Sequence, residues 1–221
     1  MRYRTFRIRP IKPVATDCPM PDIDLLSRHF LGFYFLLIAL YYASTSVGLW
    51  RRTGVSHIQY GPRGSATWWH RHIFNAFRAV ILVVCLTRMV WPELDTWLGI
   101  IAPLYQPPVL IAGIVALLTS YSIMSYVHAY MHQDWRSGID PDKRQTLLTQ
   151  GPFARSRNPL FLGIMLGQLG LFLALPSIFT LICFVAGVFV IVRQALREEK
   201  ALETLFGSEY LNYQKEVPRW W

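Results

Sequence analysis

The chain has 221 residues, of which 53% are hydrophobic and only 16% charged, where a soluble domain carries about 25% charged residues. That balance excludes a water-soluble globule. The formal net charge of +9 comes from 22 Lys and Arg against 13 Asp and Glu; on so apolar a chain it points to anionic headgroups, and no reading motif accompanies it, so nucleic acid is not an expected partner. The three cysteines, Cys18, Cys85 and Cys183, cannot all pair, and no disulfide framework is expected.

Residues 1–29 read as an N-terminal interfacial arm, rich in Arg at Arg2, Arg4, Arg7 and Arg9. It is not followed by a short apolar core with a small-residue cleavage site, so it does not read as a removable signal peptide. Three apolar segments follow within 30–131: Phe30 to Trp50, Ile73 to Trp91, and Val109 to Tyr130. The first contains 21 residues free of acid or base, enough for a membrane span. The second carries Arg78 and Arg88, both expected to snorkel. The third starts behind Pro107-Pro108, where proline costs no helical hydrogen bond. A charge-free run of 35 residues then lies between Arg157 and Arg193, too long for one span. With Ala174-Leu175-Pro176-Ser177 at its middle, it reads as a helical hairpin with arms of about 17 residues.

These segments predict an all-α integral membrane protein with about five transmembrane helices, a C-terminal helical hairpin and a helical tail. The last helix is expected to run on through Ala195 to Phe206 and end at Gly207, with a second short amphipathic helix over Ser208 to Val217. Residues 132–221 form the expected reaction core: connecting loop, hairpin and tail. The loops 51–71 and 133–157 are rich in Arg and Lys, whereas Trp91 to Pro108 holds Glu93 and Asp95 but no base. The basic loops and the tail are therefore expected on the cytoplasmic side. Five spans would leave the basic N-terminal arm outside; the three concordant segments outweigh it.

The densest polar signals flank the hairpin. On the way in stand Leu147-Leu148-Thr149-Gln150-Gly151-Pro152-Phe153 and Arg157-Asn158-Pro159-Leu160-Phe161-Leu162-Gly163; on the way out stand Glu198-Glu199, Phe206-Gly207-Ser208-Glu209-Tyr210-Leu211-Asn212-Tyr213 and Val217-Pro218. A hairpin sets its two ends side by side, so Arg157, Asn158, Glu198 and Glu199 should converge. In this collinear order the motifs resemble the membrane-embedded methyltransferases that include isoprenylcysteine carboxyl methyltransferase and, more distantly, the phospholipid N-methyltransferases. Asn158 and Gln145 stand where the eukaryotic enzymes have His, and Phe153 and Phe161 lack the hydroxyl of the usual Tyr. The resemblance implies S-adenosylmethionine as methyl donor. It implies a donor site over Gln150, Gly151, Phe153, Arg157, Asn158, Pro159, Leu160, Glu198 and Glu199, and no metal.

The chemistry agrees with that implication. The donor carries a sulfonium, an ammonium and a carboxylate, so its pocket needs acids, a base and an apolar bed. Adjacent helical residues point about 100° apart, so one of Glu198 and Glu199 should face the pocket while the other supports it. An Arg can hold an acceptor carboxylate through two hydrogen bonds; Arg157 is the first candidate and Arg193 the second. The expected acceptor is lipid-like or small, entering from the bilayer, with an isoprenylcysteine-like carboxylate first and a phospholipid amine or small thiol as alternatives. Gly163, Gly167 and Gly170 give a small-residue face where a helix or ligand can come close. Plainer readings stand beside these: twin acids can merely cap a span, Arg155 is an interfacial base, and Asn158 is a good N-cap with Pro159 at the first helical position. His128 and His132, four apart, would suit heme or iron in a membrane oxidoreductase. Interfacial histidines are the simpler account of them and of His70 and His72 beside Trp68 and Trp69.

Overall fold

The computed structural model describes residues 21–53, 63–64, 66–131 and 146–221. Among the described residues seven α-helices follow in order: α1 Pro21–Thr53, α2 Ala66–Val90, the single turn α3 Asp95–Leu98, α4 Pro107–Met131, α5 Pro159–Ala174, α6 Ile178–Phe206 and α7 Ser208–Glu216. Among the described residues the β structure is limited to one isolated bridge, Ile100 to Ser177. Four helices, α1, α2, α4 and α6, contain stretches long and apolar enough to cross a membrane, and their exposed surface is studded with large apolar side chains such as Phe33, Leu37, Val83, Val115 and Phe189. This is an all-α integral membrane protein. Residues 1–20 of the expected arm, the loop centred on residue 58, and the stretch holding His132 and Gln145 lie outside the described residues, while residues 21–29 of that arm belong to α1.

The hairpin forms where the sequence placed it, but its arms are unequal: α5 has 16 residues and α6 has 29. At 1.5 Å per residue α5 is about 24 Å long, short of the about 30 Å hydrocarbon core. The turn compensates by being sunk in protein rather than reaching the far surface. Ala174, Leu175 and Ser177 are fully buried, and each backbone polar group of the turn finds a partner, as lipid requires. Ser27 Oγ donates to the Ala174 carbonyl at 2.7 Å, Ile101 N to Pro176 O at 2.9 Å, and Ile178 N to Gly99 O at 2.9 Å. Ser177 and Thr180 form a reciprocal capping box at the start of α6.

The short arm α5 packs most extensively on α4 rather than on its hairpin partner. Small residues allow this. A Cβ at Gly113 would collide with the backbone of Leu173 and Ala174, and one at Gly170 would press on Leu117; Ser120 Oγ donates to the Gly163 carbonyl at 2.7 Å. The small-residue face expected on α5 thus receives a helix.

Helix α1 is described from Pro21, nine residues before the apolar run, with Asp22 and Asp24 in its first turn. Its first turns join a buried ion network at the hairpin's tip. Arg88, with no exposed surface, donates to Asp95 at 2.5 and 3.1 Å. Arg28 pairs with Asp95 at 2.8 Å and with Asp24 at 2.9 Å, and the Tyr105 hydroxyl donates to Asp24. Arg88 therefore does not snorkel. The acid in the charge-poor loop comes to it, which costs less than stretching a guanidinium through hydrocarbon.

Candidate active site

At the hairpin's open end, here the mouth, the chain before α5 and the chain after α7 meet at α6. Gln150 precedes a short 3-10 turn over Gly151–Ala154. Gly151 is left-handed, at φ 60°, and a Cβ there would enter the ring of Tyr130, so glycine is required. The turn is held from two sides: the Phe153 ring lies 6.3 Å from that of Tyr130 on α4, and Tyr213 Oη on α7 donates to the Phe153 carbonyl at 2.7 Å. Tyr210, Tyr213 and Val217 form a small buried core with Leu147, Leu202 and Phe206 beside it. Burial pushes the Tyr213 phenol up to about 12, with the Tyr210 ring adding to the rise.

The tail then returns over the corner that starts α5. Arg157 N donates to Pro218 O at 3.0 Å, and Ser156 Oγ donates to Arg219 O at 3.2 Å while accepting from Asn158 N at 3.1 Å. Asn158 occupies the N-cap position with Pro159 behind it, yet its side chain makes no cap bond. It reaches across instead and donates to Glu199 Oε1 at 2.8 Å.

Glu199 is the centre of the cluster. It is 4% exposed and is held bidentately by Arg219 at 3.0 and 3.1 Å, with Arg157 Nη1 3.4 Å from Oε2. The bond to Glu199 raises the Arg219 guanidinium above its ordinary value. Two guanidiniums face one carboxylate, and the donors are not used up. Arg157 Nε is buried without a hydrogen bond, Arg157 Nη1 has only its ion pair with Glu199, and the buried Tyr210 hydroxyl lies beside Arg157 and Gln214. Burial, followed by the Glu199 charge, raises the Tyr210 phenol, while Arg157 and Gln214 pull the other way.

The 100° argument holds for the twin acids: Glu199 faces inward and Glu198 lies half-buried beside it, accepting from Gln194 at 2.8 Å. The structure thus brings Arg157, Asn158 and Glu199 together. Pro159 is buried at the start of α5 and Leu160 half-buried next to it; Gln150 and Gly151 are exposed at the rim. Arg193 does not join the cluster. It is exposed on α6 with its guanidinium 5.5 Å from the centroid of the Phe189 ring. Arg219 and the Tyr210 hydroxyl are functional candidates that sequence reasoning passed over. Their signal was present, since Tyr210 and Val217-Pro218 belong to the quoted motifs, but nothing linear says that the tail folds back onto Glu199.

Residues 108–209 match the family profile described as phospholipid methyltransferase. Over that stretch the chain carries the pattern of a membrane methyltransferase family. No curated protein and no solved structure matches the chain. The matched stretch runs from α4 through the hairpin to the start of α7, so it contains Arg157, Asn158 and Glu199 and stops short of Tyr210 and Arg219.

Proposed function

We propose that the protein transfers a methyl group from S-adenosylmethionine to a lipid-like acceptor at this mouth, on the cytoplasmic side of the membrane. The observation that carries the reading is the unfinished polar cluster around Glu199. Two guanidiniums on one carboxylate leave a positive surplus, and the buried Arg157 Nε, without a hydrogen bond, costs free energy if nothing is to meet it; both suit a carboxylate such as the donor's own. The remaining cluster fits the rest of the donor: Glu199 would hold the Arg157 guanidinium in place for its carboxylate, and Pro159, Leu160 and the aromatic packing around Phe153 offer an apolar bed. When bound, the donor supplies an electrophilic methyl on a positively charged sulfur. The bond from that methyl to the acceptor forms as the bond to sulfur breaks, leaving a neutral thioether.

The protein's own part is alignment and exclusion of water, since methyl transfer to an anionic acceptor needs no general base. Asn158 fixes the carboxylate of Glu199, Ser156 fixes the corner, and the strap at Pro218 and Arg219 closes the outer side. The cationic surplus of the cluster favours an anionic acceptor, such as an isoprenylcysteine-like carboxylate. The family match favours a phospholipid amine, which would also release a proton on methylation. Purified protein, labelled S-adenosylmethionine and these two acceptor classes separate the readings. Label in the ester supports the first and label in the amine headgroup the second. No transfer to either, with no binding of the donor, would overturn both.

A further inference from the structure

A second polar feature lies deeper, between α1, α2, α4, α5 and α6, where the helices enclose a partly open cavity of ≈ 200 Å³. Its wall is almost wholly apolar, with Phe35, Ile38 and Phe184 among the lining residues, but it also contains Arg78 and Gln168. The Arg78 guanidinium sits 4.2 Å from the centroid of the Tyr42 ring, so it is folded against the cavity wall rather than extended towards headgroups. Among the described residues it meets no carboxylate within ion-pair distance. Gln168 Oε1 is buried without a hydrogen bond. An arginine inside a membrane protein is costly enough that a counter-charge is expected for it, and stacking on an aromatic ring offsets only part of that cost. The tip network shows the alternative in the same fold, with Arg88 paired to Asp95. Along α5 the cavity starts at Ile164, six residues beyond Asn158, about 9 Å in from the mouth cluster.

We propose that this cavity is a binding site for an anionic amphiphile, its apolar body between the helices and its carboxylate or phosphate oxygen on Arg78. The site deepens the methyltransferase reading by naming the acceptor's class, and it rests on that reading for its role in the reaction. Arg78 and the rest of the wall on α1 and α2 lie outside the family match, while the larger part of the wall, on α4, α5 and α6, lies within it.

The test uses the full chain in detergent with a diazirine-bearing palmitic acid, followed by mapping of the crosslinked peptides. Saturable labelling is expected on peptides from α1, α5 and α6. It should be displaced by oleate or oleyl phosphate but not by oleyl alcohol or oleylamine, and should weaken about tenfold in Arg78→Gln, as expected for loss of one charged hydrogen-bond partner. Recovery in Arg78→Lys guards against mere misfolding. Displacement by oleyl alcohol as strong as by oleate, equal labelling of Arg78→Gln, or labels confined to other surfaces would each overturn the proposal. Which of oleate and oleyl phosphate displaces better tells a carboxylate acceptor from a phosphate-bearing one. Binding of S-adenosylmethionine by the wild-type protein, measured alongside, distinguishes failure of this site from failure of the methyltransferase reading.

Discussion

The two ends of the hairpin are both held by buried ion pairs, yet they are balanced differently. At the tip, Arg28 and Arg88 face Asp24 and Asp95, two bases against two acids. At the mouth, Arg157 and Arg219 face Glu199 alone; a buried guanidinium nitrogen without a hydrogen bond occurs at both ends, on Arg88 and on Arg157. The balanced cluster uses its charges to fix a turn; the cation-rich one, built of the same ingredients, keeps a positive surplus that an anionic group would neutralise. The difference lies in the charge balance, since both clusters are buried and both tie distant segments together.

The sharpest way to break the comparison is to remove an acid from the balanced end. Asp95→Ala leaves Arg88 buried and uncompensated, and a loss of about 3–5 kcal/mol is expected, read as a large fall in unfolding midpoint in detergent. An unchanged midpoint would mean the tip network is not structural. At the mouth the balance of effects reverses. Arg157→Ala should lower methyl transfer on the order of 10²-fold, as for loss of a preorganised donor, with a much smaller change in stability. Arg193→Ala and His128→Ala should be nearly silent, and equal losses in all three would sink the site assignment.

Arg219→Ala tests how much the strap adds. Its side chain is 37% exposed, so solvent screens the pair, and transfer is expected to fall by only about fivefold. A loss matching that of Arg157→Ala would make Arg219 part of the reacting cluster itself. The smallest effect is alkaline. Tyr213 is raised from 10.0 to about 12 in the folded protein, so its contribution is whole below pH about 10 and is lost as pH rises through about 12. Proteolysis of the tail should quicken over that window, and Tyr213→Phe should remove the pH step while weakening the tail at all pH values.

Much of this was legible in the sequence because it depends on runs and periodicity. Charge-free stretches marked the long helices, Pro176 and Ser177 marked the turn, and the 100° offset between Glu198 and Glu199 chose between them in principle. What could not be read depends on segments meeting in space. Arg88 reads as a snorkelling base until Asp95 is seen beside it. Asn158 reads as a cap until its amide is seen on Glu199. The shortness of α5 makes sense only because the tip is covered by residues 99–101 and by Ser27. Arg219 lay at the end of a tail whose return is fixed by Tyr210, Tyr213 and the backbone bond from Arg157 to Pro218.

Titration of the purified protein with S-adenosylmethionine, alone and as Glu199→Gln, examines the mouth most directly. Saturable binding in the wild type that disappears in a variant still folded at the assay temperature is the outcome this account requires. Absence of binding in the wild type, or binding that survives the substitution unchanged, would contradict it.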